Sequence, residues 1–275
     1  MARRNFYEIL TETPLNLQAE YERIYKLFYE GTDSYRSIDD VIEYAFESLP
    51  EHLIGRTISL ADFNKTYNFA FPDTIFTDPG MPFSTVDDLL IFCEYIWNFC
   101  VGLLEHAMHT LDEDEYNSIL HLQKMIIACM DDLKQMLAKR GELYIFVPKN
   151  PAVISVAEIV EKDMAVSILE YHHHSLKGDL AKKKAILKLM ADDIEGDRQK
   201  LRNINRTLET QLFQLLNKFV RHDQAQTPYI GTMNPLEIEE CYDDIYQMWL
   251  LARLEIDHYA DRKDRIAGLI EKLNN

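Results

Sequence analysis

Glycine and proline are scarce, nine of each in 275 residues. So few chain breakers exclude collagen-like and low-complexity architectures and fit a mostly helical chain. Cysteine is scarce too, at four. Cys93, Cys100, Cys129 and Cys241 sit inside helical apolar patterns with no paired short spacing, so no zinc or thioredoxin-type motif is present, and they read as reduced core residues of a cytoplasmic protein. Long apolar runs are missing. The most apolar stretch, 89–104, is interrupted by Glu94 and Asn98 and falls short of the roughly 20 residues a membrane helix needs. The N-terminal MARRNFYEILTE has two arginines but no apolar run behind them, so it does not read as a secretory signal. No membrane partner and no cofactor are expected, and no strong catalytic signature occurs anywhere.

What is present is apolar mass and negative charge. Apolar residues make up 47% of the chain, enough for a real core. The net charge of −17 argues against broad affinity for nucleic acid, which depends on counterion release at Lys and Arg. The sign is uneven. Residues 1–150 hold 12 basic and 25 acidic side chains, whereas residues 177–222 hold 11 and 6. Lys182, Lys183, Lys184 and Lys188 crowd the start of that basic band. It reads either as a solvated helix face or as a stripe for an RNA backbone. The acidic N-terminal half is a candidate surface for a protein partner.

The expected fold class is all-α, a multi-helix bundle around one long helix at about 179–222. Ile186, Met190, Ile194, Leu201, Ile204, Leu208, Leu212, Leu215 and Phe219 recur at helical spacing there, with one turn skipped at Asp197. Unbroken, such a helix would run roughly 60 Å and need several partners. Before it, the pattern predicts helices over 17–29, 38–49, 84–110 and 116–139. An irregular aromatic insertion spans 55–83, with Phe63, Tyr67, Phe69, Phe71 and Phe76 among prolines. LYIFVP at 143–148 reads as an extended segment, a connector or half of a pairing with the 55–83 loop. Asn150–Pro151 opens a helix to Tyr171, and Asn234–Pro235 opens the last one. A domain boundary falls near residue 149, giving 1–149 and 150–275, although the two halves could share a core.

Two helical Glu-x-x-His pairs, Glu170 with His173 and Glu255 with His258, match the arrangement of di-metal carboxylate bundles. Glu94, Glu105 and Glu209 offer undistinctive further carboxylates, so no metal site is assigned. His172, His173 and His174 point about 100° apart on a helix and cannot share one ion; they fit a helix C-terminus that favours cationic imidazole. His106 and His109 share a helix face, and Arg221 with His222 precedes a long loop; both pairs fit ordinary surface or capping roles.

In the last helix, Arg253 and His258 flank four residues. A guanidinium offers planar donors to a phosphate and an imidazole titrates near neutral pH, so the two could cleave RNA without a metal. This spacing resembles the Arg, four to six residues, His motif of HEPN domains, all-helical bundles of ribonuclease toxins and abortive-infection proteins. The wider half from YHHHSLKGDLAKKKAIL through LLNKFVRH to YDDIYQMWLLARLEIDH, residues 150–275, is similar to helical proteins of that defence setting. The resemblance implies Arg253 on the scissile phosphate, His258 as general acid or base, and a site shared across a homodimer. Where that family often has a polar residue after the Arg, this chain has Leu254. Residues five apart on a regular helix lie about 140° from each other, so a joint site needs a distorted turn or a second subunit.

Overall fold

Short polar side chains open most of the helices by occupying the first free backbone N–H groups. The computed structural model describes residues 15–30, 36–48, 57, 59–67, 85–221 and 230–274. Among them are twelve α-helices and one two-stranded hairpin, an all-α architecture. No helix of the described residues is long and apolar enough to cross a membrane. The chain forms two compact units, 1–148 and 149–275.

The first unit holds α1 (Leu17–Tyr29), α2 (Ile38–Ser48), α3 (Leu60–Tyr67), α4 (Val86–His106), α5 (Glu113–Asp132) and the hairpin β1 (Gln135–Arg140) and β2 (Leu143–Pro148). Asn16, Ser37, Thr85 and Asp112 accept from backbone N–H groups of α1, α2, α4 and α5. Helix α4 is the centre: Leu89, Phe92, Cys93, Ile96, Phe99, Cys100 and Leu103 are all fully buried. Around it pack Tyr21, Ile24 and Phe28 of α1, Phe63 of α3 and Ile119, Leu122 and Ile126 of α5. Of the aromatic insertion, α3 is helical where irregular chain was expected; Phe69, Phe71 and Phe76 lie outside the described residues.

The segment 133–148 departs from the expected helix and lone strand. Lys134 adopts a left-handed backbone, φ 55°, which ends α5 before Leu137 can join it. The chain then turns at Gly141, φ 61°, and Glu142, a two-residue connection of the kind that favours glycine at its first position. LYIFVP therefore pairs antiparallel with 135–140, Arg140 opposite Leu143 and Met136 opposite Val147. The two polar interruptions of the apolar stretch explain how the hairpin docks. Glu94 Oε1 accepts from Phe146 N at 2.7 Å, and Asn98 both accepts from Tyr144 N and donates to Tyr144 O at 2.8 Å. A helix here serves as the neighbour that the outer edge of β2 would otherwise lack. Asn98→Leu should leave both Tyr144 groups unsatisfied and lower the unit's stability by about 1–2 kcal/mol. A urea midpoint unchanged from the native chain would refute that reading.

The second unit holds α6 (Pro151–Ala157), α7 (Lys162–Glu170), α8 (Leu180–Glu195), α9 (Arg198–Ile204), α10 (Arg206–Leu215), α11 (Pro235–Leu254) and α12 (Ala260–Asn274), with π turns at Leu216–Arg221 and Glu255–Tyr259. The stretch 179–222 is thus three helices and a π turn rather than one rod. It breaks at Gly196–Asp197, where the apolar stripe skips a turn, and at Asn205, whose non-helical backbone lets its side chain accept from Leu208 N and start α10. Likewise 150–171 is two helices, α6 and α7. Helices α8 and α11 run parallel, joined at successive levels. Lys183 meets Glu239 and Asp243, Trp249 Nε1 donates to Met190 O at 2.8 Å, and Arg253 meets Asp193 and Asp197. Trp249, Tyr242, Tyr246, Leu187, Ile194 and Phe213 fill the core between them.

Candidate functional site

Arg253 sits on the last turn of α11 and reaches across to the end of α8. Its Nε donates to Asp193 Oδ2 at 2.8 Å, its Nη2 to the same oxygen at 2.5 Å and to Asp193 O at 3.0 Å, and its Nη1 to Asp197 Oδ2 at 2.8 Å. Asp257, one turn on, lies 3.7 Å away. Only 7% of the residue is exposed. Burial alone would pull the guanidinium's pKa down, but its bonds to Asp193 and Asp197 and the field of Asp257 hold it above the usual value. Asp193 moves up because burial outweighs the pull of Arg253. One cation and three carboxylates leave the locality negative.

His258 lies in the π turn Glu255–Tyr259 that follows; its side chain is outside the described residues. In a π turn the backbone bonds run from i to i+5, so residues five apart return toward one face instead of standing about 140° apart. Arg253 lies on regular helix two residues before this turn, which is a distortion of the kind the Arg253–His258 spacing calls for. Glu255, at its start, accepts from Asn205 Nδ2 at 3.1 Å, which ties the turn to the α9–α10 break. Among the described residues neither Glu170 nor Glu255 belongs to a cluster of three or more metal-ligating side chains. His222 lies outside the described residues, while Arg221 donates to Ala191 O at 2.8 Å and meets Glu195 at 2.5 Å.

The four lysines of the basic band separate. Lys183 is 4% exposed and held by Glu239 at 2.8 Å and Asp243 at 2.9 Å, with Nζ 4.9 Å from the centre of the Tyr171 ring. Lys182 pairs with Asp179 at 3.0 Å, Lys184 is half-buried and Lys188 exposed. Further along the band, Arg198 and Arg202 both bind the fully buried Glu209. Of the band's eleven basic side chains, five (Lys182, Lys183, Arg198, Arg202 and Arg221) pair with carboxylates of their own unit.

Around Lys183 lies a cluster that the sequence reading missed. Tyr171 stacks on Tyr246 with ring centres 4.1 Å apart, and His172 stands edge-on to both at 5.0 Å. Tyr246 Oη donates to Ile168 O at 2.6 Å. The expected cationic imidazoles are not borne by His172, because burial lowers its pKa from 6.5 to about 4, against the opposing pull of Asp243 and with help from Lys183. His173 Nδ1 lies 2.7 Å from Ser175 Oγ, and His174 packs on the His173 ring at 4.0 Å. One signal for this cluster was available. Lys183 occupies the same stripe as Leu187, Met190 and Ile194, a core position, and Glu239 and Asp243 are four apart on the facing helix.

Fold and geometry together define an all-α protein of two helical units, with buried ion pairs joining the helices of the second. No family model, no curated protein and no solved structure matches the chain.

Proposed function

We propose that this chain is a non-catalytic helical interaction protein. The observation that carries the reading is the enclosure of Arg253: four of the bonds its five N–H groups can make are already directed at Asp193 and Asp197, in a locality with surplus negative charge. A phosphate approaching it would displace those carboxylates and meet their field. The net charge of −17 acts in the same direction at longer range. The acidic N-terminal half, 1–149, is the surface offered to a protein partner. A reducing, cytoplasmic setting accords with four free thiols, of which Cys93 and Cys100 have pKa values pushed up by burial and are poor nucleophiles.

A second reading is favoured by one observation, the π turn Glu255–Tyr259 that starts two residues after Arg253 and contains His258. It makes the chain a HEPN-like, metal-independent ribonuclease of a defence or toxin system, with Arg253 on the scissile phosphate, His258 as acid or base, and Lys182, Lys184 and Lys188 along the backbone. Incubation of the pure protein with mixed RNA in excess EDTA separates the two. The interaction reading expects intact RNA with the native chain. Cleavage that His258→Ala abolishes, in a variant whose thermal melt is unchanged, would transfer the site to the nuclease.

A further inference from the structure

Helix α12 is the least covered long element of the second unit. Ile266, Leu269, Ile270 and Leu273 follow the i, i+3, i+4, i+7 spacing of one helical face, and they are 43%, 51%, 52% and 81% exposed. At 100° per residue the four form a stripe about 100° wide. Lys263, Arg265 and Lys272 border this stripe, Arg262 continues its line one turn earlier, and Glu271 stands on the opposite side. A helix of fifteen residues without tertiary packing is marginal in water, and Gly268 weakens it further. Its order calls for something to cover the apolar face.

We infer that the cover is a second copy of this chain, bound through α12 to α12 in antiparallel pairing. Three features select this occupant. The stripe is self-complementary: a two-fold axis between residues 269 and 270 places Ile266 on the partner's Leu273 and Leu269 on the partner's Ile270, so apolar meets apolar throughout. The charge also favours α12. Two chains of net −17 repel each other over most of their surface, yet α12 carries four basic and three acidic residues, net +1, and so opposes approach least. The stems of the bordering Arg265 and Lys272 side chains extend the apolar contact. Area sets the strength. A stable interface clears about 1,000 Å² in total, and two stripes of four side chains come close to that without exceeding it. The dimer is therefore weak and concentration-dependent.

This inference holds whether or not Arg253 meets a phosphate, so it and the RNA experiment fail separately. Sedimentation velocity of the full chain from 1 to 300 micromolar, roughly spanning the range for so small an interface, tests it. The native chain should pass from monomer to dimer, and amide exchange in α12 should slow as it does. Leu269→Glu and Ile270→Glu, both at exposed positions, should remain folded and weaken association at least about tenfold. Leu236→Glu, at another exposed leucine, should leave it unchanged. A native chain that stays monomeric throughout overturns the inference, and so does a dimer that survives both α12 substitutions.

Discussion

Arg253→Ala should lower the stability of the second unit by about 3 kcal/mol, a shift of roughly 10 °C in its melting midpoint. The expected size follows from what the substitution leaves behind. Removing one partner from a buried ion pair typically costs about 3–5 kcal/mol, because the orphaned charge stays out of water. Here Asp193, Asp197 and Asp257 are 24%, 36% and 31% exposed, so water recovers part of the loss and the lower end applies. The double variant Arg253→Met with Asp193→Leu should recover much of that stability, since an apolar pair of similar volume leaves fewer charges unanswered. A residue kept free for substrate would behave otherwise. If alanine at 253 left the midpoint within about 0.5 kcal/mol of native, the enclosure drawn above would be wrong and the phosphate role would regain its ground.

The second large effect is an acid response confined to the second unit. His172 titrates near pH 4 when folded and near 6.5 when unfolded. Between those values the unfolded chain binds a proton that the folded chain refuses, so stability falls as pH drops, by about 3 kcal/mol in all. Above pH 6.5 the group contributes nothing to the slope, and below 4 the loss is complete. His172→Phe should flatten the slope. The first unit should respond in the opposite sense. Burial, with Glu43 and Asp40 nearby, raises the Asp39 carboxyl from 3.8 to about 6, so its neutral form gains weight and that unit is favoured as pH falls through this range. The two tryptophans make the contrast measurable, since Trp97 lies in one unit and Trp249 in the other. Single-tryptophan variants, Trp97→Phe and Trp249→Phe, should show midpoints that move apart between pH 6.5 and 4.5, roughly the interval in which both groups titrate. Parallel movement would refute the assignment to His172.

Much of the architecture was legible because it rests on local chemistry. Asn150 and Asn234, each followed by proline, sit at helix starts for reasons visible in a few residues, and the apolar period does the rest. The hairpin was hidden for an equally physical reason. Leu133 and Leu137 continue the 3.6-residue period of α5, so a helix fits the side chains; what ends it is the left-handed backbone at Lys134, which no composition rule requires of a lysine. The break at Asp197 left a trace in the skipped apolar turn, whereas the one at Asn205 left only a polar residue that a long helix could also carry. At the candidate site, the distance between Arg253 and His258 already demanded a distorted turn, but the three aspartates around Arg253 come from across two helices and a turn. Of the three, Asp257 was legible from its four-residue spacing, while Asp193 and Asp197 belong to another stretch of chain that spacing cannot relate to Arg253. Lys183 was grouped with its lysine neighbours by proximity in the chain, while its position in the apolar stripe assigned it to the core.

The π turn at 255–259 holds one more residue than an α-helix would use for the same advance. Were that turn to relax to regular helix with every residue kept, α11 would continue straight into α12 carrying one residue's extra rotation. Everything beyond would then rotate by about 100° about the axis. Ile266, Leu269, Ile270 and Leu273 would keep their mutual spacing yet aim in a new direction, turning the flank now bordered by cations toward the place they left. The hydrogen bonding of one backbone turn therefore sets the bearing of the C-terminal helix, independently of every side chain on it.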